Sequence, residues 1–267
     1  MPKITYDKKC LYKDGIPWIP FCGEFHYSRV PEEEWETEIA KMKAGGLDCV
    51  STYIFWNHHE FEKGLFDFTG NRNLSKFLRL CREVGLLIVL RLGPWCHGEA
   101  RYGGFPDWLV HECRPLRSND ETYLFYVRRF WEQVYANVKQ EEDNIFAIQI
   151  ENEYLFGGDR KGDDHMRTLM ALAKDIGFNA PLFTATGWVN SYIGDCLPTF
   201  CGYVCAPWAR SFSKLPFNDN YMMKFDQNEF HMDNEFNLVH MAKNPHFDRT
   251  EFPYLTCELG GGNQVTY

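Results

Sequence analysis

Short apolar segments recur along this chain, and longer amphipathic stretches separate them. This alternation restricts the possible folds more than any other feature of the sequence. Continuous apolar strands that alternate with helices are typical of a parallel sheet whose outer face is covered. The sequence therefore predicts seven strands, at residues 19–23, 47–55, 86–93, 145–153, 181–187, 202–207 and 253–260.

The stretch between the first two predicted strands has the start and stop signals of a helix. Pro31 is preorganised for a first helical turn, and the three glutamates after it favour the positive end of the helix dipole. Gly45-Gly46 permits a left-handed exit. The apolar residues at helical spacing between them are Trp35, Ile39 and Met42. Similar patterns predict helices near residues 73–84, 120–140, 163–177 and 227–243.

Two architectures have this alternation of strands and helices: an open doubly wound sheet and a closed (β/α)8 barrel. Polar and aromatic residues gather after several predicted strands, which is where barrel enzymes carry their catalytic groups. These groups lie at residues 23–26, 53–59, 93–99 and 152–153, and at Glu258. We therefore predict an α/β fold of the (β/α)8 or TIM-barrel class, with about seven of the eight strands in this chain.

A short segment precedes the barrel pattern. Two β-prone runs flank the turn sequence Lys13-Asp14-Gly15, so residues 1–18 are expected to form a small lead-in hairpin. Residues 19–267 are then the barrel domain. We expect this domain to be incomplete at its carboxyl end, because the chain stops nine residues after Glu258 and no eighth strand follows. A missing strand leaves two sheet edges with unpaired backbone groups.

The charge and apolar content of the chain exclude several classes of partner. A formal net charge of -9 argues against nucleic acid, because nucleic-acid-binding proteins present a basic face to the phosphates. No apolar stretch reaches the length that crosses a bilayer, and the amino terminus has no signal-peptide pattern. We therefore expect a cytoplasmic protein with a neutral substrate, no membrane partner and no nucleic-acid partner. The oligomeric state does not follow from the sequence.

The 10 cysteines could form disulfides or a zinc site, but no two of them are spaced as a Cys-x-x-Cys pair. Several lie inside apolar strand-like runs, for example Cys49 and Cys205, which favours buried reduced thiols. His58-His59-Glu60 is the remaining candidate for metal binding. Neighbouring residues on a strand or turn point apart, however, and the chain has no His-Glu-x-x-His spacing. We predict no metal and no cofactor.

Two predicted strands end in acidic residues. The fourth ends in Glu151-Asn152-Glu153, three polar groups that are costly to bury unless they are hydrogen-bonded or face a cleft. The seventh ends in Cys257-Glu258-Leu259, and the glycines after it let a ligand approach closely. Retaining glycosidases use two carboxylates roughly 5 to 5.5 Å apart, one as nucleophile and one as acid/base. A solvated strand end for Glu153 and a barrel-end salt bridge for Glu258 are the alternatives.

The segment after the third predicted strand resembles a known enzyme family. It contains Gly93-Pro94-Trp95-Cys96-His97-Gly98-Glu99 and then Gly103-Gly104-Phe105-Pro106-Asp107-Trp108-Leu109. The likeness extends to Gly23-Glu24-Phe25-His26, Thr52-Tyr53-Ile54-Phe55-Trp56-Asn57 and Gln149-Ile150-Glu151-Asn152-Glu153-Tyr154. Together these motifs resemble glycoside hydrolase family 35, the β-galactosidases, from about residue 16 to about residue 190.

This resemblance implies a (β/α)8 barrel that releases terminal non-reducing β-D-galactose from β-galactosides with retention at the anomeric carbon. It implies that Glu153 is the acid/base and that Glu258, at the end of the seventh strand, is the nucleophile. Asn152 would contact the sugar 2-hydroxyl, an interaction that strengthens in the transition state.

The resemblance also implies a set of substrate-binding residues. Tyr53, Gly98 and Glu99 match positions that hold galactose hydroxyls in the family, and Glu99 can accept two hydrogen bonds. His97 lies beside them and is included in the set, although relatives usually have cysteine or asparagine there.

Two other functions fit the same residues. A related exo-β-glycosidase, such as a β-glucosaminidase or a β-glucosidase, differs from a β-galactosidase only in the detail of its pocket. A truncated barrel could also bind sugar without hydrolysing it, or be inactive. The partner expected from the resemblance is a β-galactoside oligosaccharide or glycoconjugate.

Overall fold

Two sheets make up the computed structural model, which describes residues 3–154, 161–185, 196–203 and 255–260. The first sheet is antiparallel and consists of β1 (Ile4–Tyr6), β2 (Leu11–Lys13) and β3 (Ile16–Trp18). Asp14 and Gly15, both at positive φ, join β2 to β3, so the turn predicted there is confirmed. The lead-in contains one strand more than a hairpin, because β1 also pairs with β2. Its separation from the barrel as residues 1–18 stays a prediction.

The second sheet contains seven strands in chain order, and every neighbouring pair is parallel. They are β4 (Cys22–Glu24), β5 (Cys49–Tyr53), β6 (Leu87–Gly93), β7 (Ile145–Asn152), β8 (Leu182–Ala185), β9 (Leu197–Tyr203) and β10 (Thr256–Gly260). The predicted strand order is confirmed. β9 begins five residues before the predicted position, because it pairs with β8 from Leu197 onwards. The rest of that prediction, residues 204–207, lies outside the described residues.

Six α-helices lie in the described ranges; the first, third, fifth and sixth are at the predicted places, and the two short ones were not predicted. They are α1 (Trp35–Ala44), α2 (Trp56–His59), α3 (Leu74–Glu83), α4 (Asp107–Glu112), α5 (Glu121–Val138) and α6 (Lys161–Ile176). The predicted start at Pro31 is wrong by four residues, because a 3-10 turn, Glu32–Glu34, precedes the α-helix. Gly46, at φ 89°, provides the left-handed exit. The helix predicted near residues 227–243 lies outside the described residues.

Side-chain caps and apolar packing fix these helices on the sheet. Asn73 and Asp120 accept hydrogen bonds from the first turns of α3 and α5, which satisfies backbone donors that a helix start leaves unpaired. Neighbouring helices α1, α3, α5 and α6 contact one another in that order. Within the described ranges, no helix is both long enough and apolar enough to cross a membrane.

The cysteine prediction is confirmed at five described positions, where free thiols are buried: Cys49, Cys81, Cys96, Cys113 and Cys196. It is wrong at Cys22, which is exposed on the edge strand β4, and at Cys10, which is only partly buried. The side chain of Cys205 lies outside the described residues.

His59 is a buried link between α2 and the segments on either side of it. Its Nδ1 lies 2.9 Å from the Asp67 carbonyl oxygen, which can only accept, so Nδ1 carries the proton. Its Nε2 therefore accepts from the Tyr27 hydroxyl at 2.6 Å. Burial lowers the pKa of His59 to about 4, so the ring is neutral at neutral pH.

We expect His59 to make the fold sensitive to acid. Between pH 6.5 and about pH 4 the unfolded chain binds a proton at this residue and the folded chain does not, so stability falls as pH falls. At pH 4 this proton uptake lowers the free energy of unfolding by about 3 kcal/mol, because the pKa of His59 differs by about 2.5 units between the unfolded and folded chains. Melting temperatures at pH 7 and pH 4.5 measure it. His59→Gln should lose less melting temperature on acidification than the wild type, whereas the exposed His111→Gln should match the wild type. Equal losses in both variants would contradict this role.

Candidate active site

The parallel sheet brings the carboxyl ends of its strands to one edge. The registers of β5, β6 and β7 place Tyr53 beside Arg91 and Arg91 beside Gln149. These three side chains therefore form one row across adjacent strands. In each strand the row comes just before the segment that contains other predicted site residues.

Arg91 is the centre of this row, and only 3% of its side chain is exposed. Its Nε donates to Gln149 Oε1 at 2.8 Å, and one terminal nitrogen donates to Asn152 Oδ1 at 3.0 Å. The other terminal nitrogen pairs with the Glu24 carboxylate. The guanidinium carbon lies 3.8 Å from the centre of the Tyr53 ring. The buried charge is therefore paired, hydrogen-bonded and stacked, which offsets its loss of hydration.

Asn152 has one defined amide orientation. Its Oδ1 receives hydrogen bonds from Arg91 and from Gln149 Nε2, the latter at 2.8 Å. Its Nδ2 consequently faces His97 Nδ1, 3.0 Å away. The same His97 nitrogen lies 3.4 Å from Glu153 Oε2, and the Glu153 side chain is 23% exposed. The Asn152 amide and the Glu153 carboxyl therefore both contact the His97 imidazole at the carboxyl edge of the sheet.

Glu151 does not face this mouth. Its side chain is fully buried and accepts a hydrogen bond from Arg117 at 2.7 Å, while the same Arg117 nitrogen donates to the Asn152 carbonyl oxygen at 2.9 Å. Burial raises the pKa of Glu151, and the Arg117 guanidinium opposes that rise. Arg117 also stacks over the rings of Trp95 and Tyr154. It therefore holds the end of β7 to the loops around it.

Strained backbone conformations cluster at the same edge. Five residues other than glycine are in the left-handed region here: His97 (φ 55°), Glu99 (φ 47°), Arg117 (φ 52°), Glu151 (φ 58°) and Glu153 (φ 45°). Such conformations cost of order 1–3 kcal/mol each and occur mainly at functional sites. Their concentration here supports the assignment of this edge as the site.

Gly98 and His26 form the wall of the site beside Tyr53. A Cβ at Gly98 would lie 2.8 Å from the Phe55 ring, so the left-handed turn there requires glycine. The Gly98 carbonyl oxygen accepts from Arg29 at 2.5 Å. His26 Nδ1 accepts from the Tyr53 backbone at 3.4 Å, and burial, aided by Arg29, lowers the pKa of His26 to about 4. This wall therefore carries a neutral imidazole at neutral pH.

The structure brings together most of the predicted site residues. Asn152 and Glu153 contact His97 directly, and Tyr53 joins them through Arg91. Gly98 and the exposed Glu99 follow His97 on the same loop. Glu258 lies on β10 opposite Cys201, and its side chain lies outside the described residues.

Sequence reasoning missed the roles of three residues, Arg91, Gln149 and Arg117. Arg91 carried a usable signal, because a cation inside an otherwise apolar strand needs a partner. Arg117 carried none, since its partner Glu151 is 34 residues away. The side chains of the His58-His59-Glu60 cluster have protein partners: His59 is hydrogen-bonded to Tyr27, and Glu60 is buried against Trp56 and Arg129. The absence of a metal stays a prediction. In the part of the chain that the structure describes, no three acidic, histidine or cysteine side chains form a group able to hold a metal ion.

The arrangement is suited to transferring a proton to or from a bound ligand. Glu153 is partly exposed and has an imidazole nitrogen beside it. Asn152 retains a second amide hydrogen that the bond to His97 does not use.

Known proteins similar to this chain are β-galactosidases. The model of "Glycosyl hydrolases family 35" matches residues 10–239. The chain is 36% identical to a β-galactosidase of Homo sapiens over 201 residues, which is 72% of this chain and 29% of that protein. It is 35% identical to β-galactosidase 8 of Arabidopsis thaliana over 211 residues, 74% of this chain and 25% of that protein. The chain thus spans less than a third of the length of these curated relatives.

Solved structures of glycosidases share the fold. The exo-β-1,4-mannosidase Op5Man5 from Opitutaceae bacterium strain TAV5 superimposes with a TM-score of 0.57 at 18% identity, covering 71% of this chain and 39% of that one. The protein GH5_18 from Streptomyces cattleya, solved with GlcNAc, gives a TM-score of 0.56 at 12% identity, covering 69% and 51%. The parallel sheet and its helices are accordingly part of a (β/α)8 barrel, as predicted. With the family model matching most of its length, the chain belongs to glycosyl hydrolase family 35.

Proposed function

We propose that this chain carries the catalytic site of a retaining β-galactosidase, with Glu153 as acid/base and Glu258 as nucleophile. The observation that carries the proposal is the contact of Asn152 and Glu153 with one imidazole at the carboxyl edge of the sheet. Family membership supports the reaction class, and the curated relatives named β-galactosidases support the sugar.

Glu153 acts in both steps of the reaction. It first donates its proton to the glycosidic oxygen as the bond to the anomeric carbon breaks, and it later takes a proton from the attacking water. Its partial exposure leaves it accessible to a leaving group, and its contact with His97 limits its freedom. Asn152 gives its second amide hydrogen to the sugar 2-hydroxyl, since Arg91 and Gln149 already hold its oxygen.

Glu258 is proposed as the nucleophile because of its place in the sheet. It lies near the end of β10, and β10 runs parallel to the strands that carry Asn152 and Tyr53. Its carboxylate attacks the anomeric carbon and forms a glycosyl ester, which water then hydrolyses with retention. A separation of roughly 5 to 5.5 Å between the Glu153 and Glu258 carboxyl groups stays a prediction.

The substrate is a β-galactoside oligosaccharide or glycoconjugate. Glu99, exposed in a left-handed turn, presents two acceptor oxygens for sugar hydroxyls. Gly98 and His26 form the wall beside Tyr53, His97 precedes Gly98 on the same loop, and these residues set the position of the galactose hydroxyls.

Replacement of either carboxylate should abolish hydrolysis of p-nitrophenyl β-galactoside. Glu153→Gln and Glu258→Gln should each lower kcat by at least about 100-fold, since acid/base catalysis alone contributes 10²–10⁴-fold. The exposed Glu33→Gln is the matched control and should equal the wild type. Assays with the β-glucoside and the β-glucosaminide test the sugar: preferential turnover of either would assign a sibling exo-β-glycosidase instead.

Azide distinguishes the two roles. In Glu258→Ala, azide occupies the place of the lost carboxylate and attacks the anomeric carbon once, so we expect α-galactosyl azide. In Glu153→Ala, a substrate with an activated leaving group still forms the glycosyl ester, and azide then displaces Glu258 to give β-galactosyl azide. Nuclear magnetic resonance of the products identifies the anomer. The reverse assignment of anomers would overturn the assigned roles.

Arg117 should position Glu153 without touching substrate. Arg117→Met leaves Glu151 buried and unpaired, which costs about 3–5 kcal/mol, and it releases the backbone before Glu153, so we expect kcat to fall at least tenfold. Arg128→Met, on the exposed face of α5, is the control. The double variant Arg117→Met, Glu151→Leu should melt at a higher temperature than Arg117→Met alone. Equal effects of Arg117→Met and Arg128→Met on kcat and melting temperature would contradict this assignment.

A further inference from the structure

Arg29 joins the 3-10 turn Tyr27–Arg29 to the loop that contains the proposed sugar-binding residues. One of its terminal nitrogens donates to the Gly98 carbonyl oxygen at 2.5 Å, and its guanidinium carbon lies 4.3 Å from the centre of the Phe55 ring. Its own backbone N–H donates to the His26 carbonyl oxygen at 2.9 Å. Arg29 is therefore held at its backbone while its side chain contacts the loop.

The loop reverses direction in a tight turn from His97 to Ala100. The Ala100 N–H donates to the His97 carbonyl oxygen at 2.9 Å, which closes the turn. The two central residues are Gly98, at φ 53°, and Glu99, at φ 47°. A type I′ turn has positive φ at both central positions, whereas a type II′ turn has it only at the first. The turn is therefore of type I′.

The residues at the centre of this turn favour the other type. A glycine at the first central position is the signature of a type II′ turn, in which the second residue has negative φ. In the type I′ turn Glu99 is in the left-handed region, which a residue with a Cβ disfavours. Gly98 cannot be exchanged for another residue, because a Cβ there would lie 2.8 Å from the Phe55 ring. A contact from outside the turn must therefore stabilise the observed form.

The hydrogen bond from Arg29 is such a contact. The two turn types differ by a rotation of about 180° of the peptide plane between the central residues. In this loop that rotation would turn the Gly98 carbonyl oxygen away from Arg29 and break their hydrogen bond. The Phe55 ring lies against both the guanidinium and Gly98, so it limits the movement of both groups.

We propose that Arg29 is a positioning residue that selects the type I′ form of the His97–Ala100 turn and thereby places the Glu99 carboxylate for the sugar hydroxyls. This role deepens the proposed function and depends on it. In the type II′ form the Cα–Cβ bond of Glu99 is tilted, and the tilt displaces the carboxylate at the end of the side chain. A displacement of about 1 Å in a binding group can cost on the order of 100-fold in rate. Arg29 acts through the turn and does not contact substrate.

The test compares Arg29→Met, which has no donor, with Arg29→Lys, which keeps one. In Arg29→Met we expect KM for p-nitrophenyl β-galactoside and the inhibition constant of galactose each to rise roughly tenfold or more. The change in kcat should stay within about threefold, because contacts to the sugar hydroxyls stabilise the ground state and the transition state alike. Arg29→Lys should stay within about threefold of the wild type in all three constants, and Arg128→Met is the control. A loss confined to kcat, or equal losses in Arg29→Met and Arg29→Lys, would overturn the proposal.

A double-mutant cycle separates this role from general support of the fold. Once Glu99→Ala has removed the carboxylate, adding Arg29→Met should change KM by no more than about twofold, since the first residue acts through the second. Losses that multiply in the double variant would show that Arg29 acts independently of Glu99, and they would overturn the proposal.

Crystal structures of the wild type and of Arg29→Met measure the turn without any turnover. We expect Glu99 at positive φ in the wild type and at negative φ in Arg29→Met. Positive φ at Glu99 in Arg29→Met would overturn the proposal, even if that variant binds galactose poorly. An inactive wild type whose Glu99 changes φ on loss of Arg29 would instead reject the proposed function and leave the control of the turn established.

Discussion

The buried guanidinium of Arg91 is the interaction on which the geometry of the site depends. A cation that is 3% exposed inside a sheet is tolerated only if its donors and its faces are occupied. Gln149, Asn152 and Glu24 accept from it, and Tyr53 stacks against it. These side chains belong to β4, β5, β6 and β7. The charge on one strand therefore sets the direction of side chains on three others.

This arrangement prepares the site before substrate binds. Each hydrogen bond from Arg91 through Gln149 and Asn152 to His97 has one permitted direction. The side-chain amides of Gln149 and Asn152 therefore each have a single orientation. Side chains with one orientation need not reorganise during the reaction, which is the main source of electrostatic catalysis. His97 and Glu153, which lie at the end of this series, both have left-handed backbone.

The sequence predicts the scaffold of this site better than its internal contacts. Periodic apolar segments predict parallel strands, and parallel strands carry their carboxyl ends to one edge, so residues 93–99 and 152–153 could be placed at the same edge from the sequence alone. The pairing of Glu151 with Arg117 could not, because that contact joins residues far apart in the chain. The start of α1 was also missed, since proline and acidic residues suit a 3-10 turn as well as an α-helix.

Glu151 and Glu153 are separated by one residue, but the first side chain is fully buried and the second is partly exposed. The backbone conformation explains this difference. In a regular strand Glu151 and Glu153 would point to the same face, because side chains alternate with a period of two. Left-handed conformations at 58° and 45° break this alternation at the end of β7. Glu151 can then be buried against Arg117 while Glu153 reaches the mouth beside His97. The strain thereby prevents two like charges from facing one pocket, where each would disfavour ionisation of the other, and leaves a single carboxyl of this strand available for proton transfer.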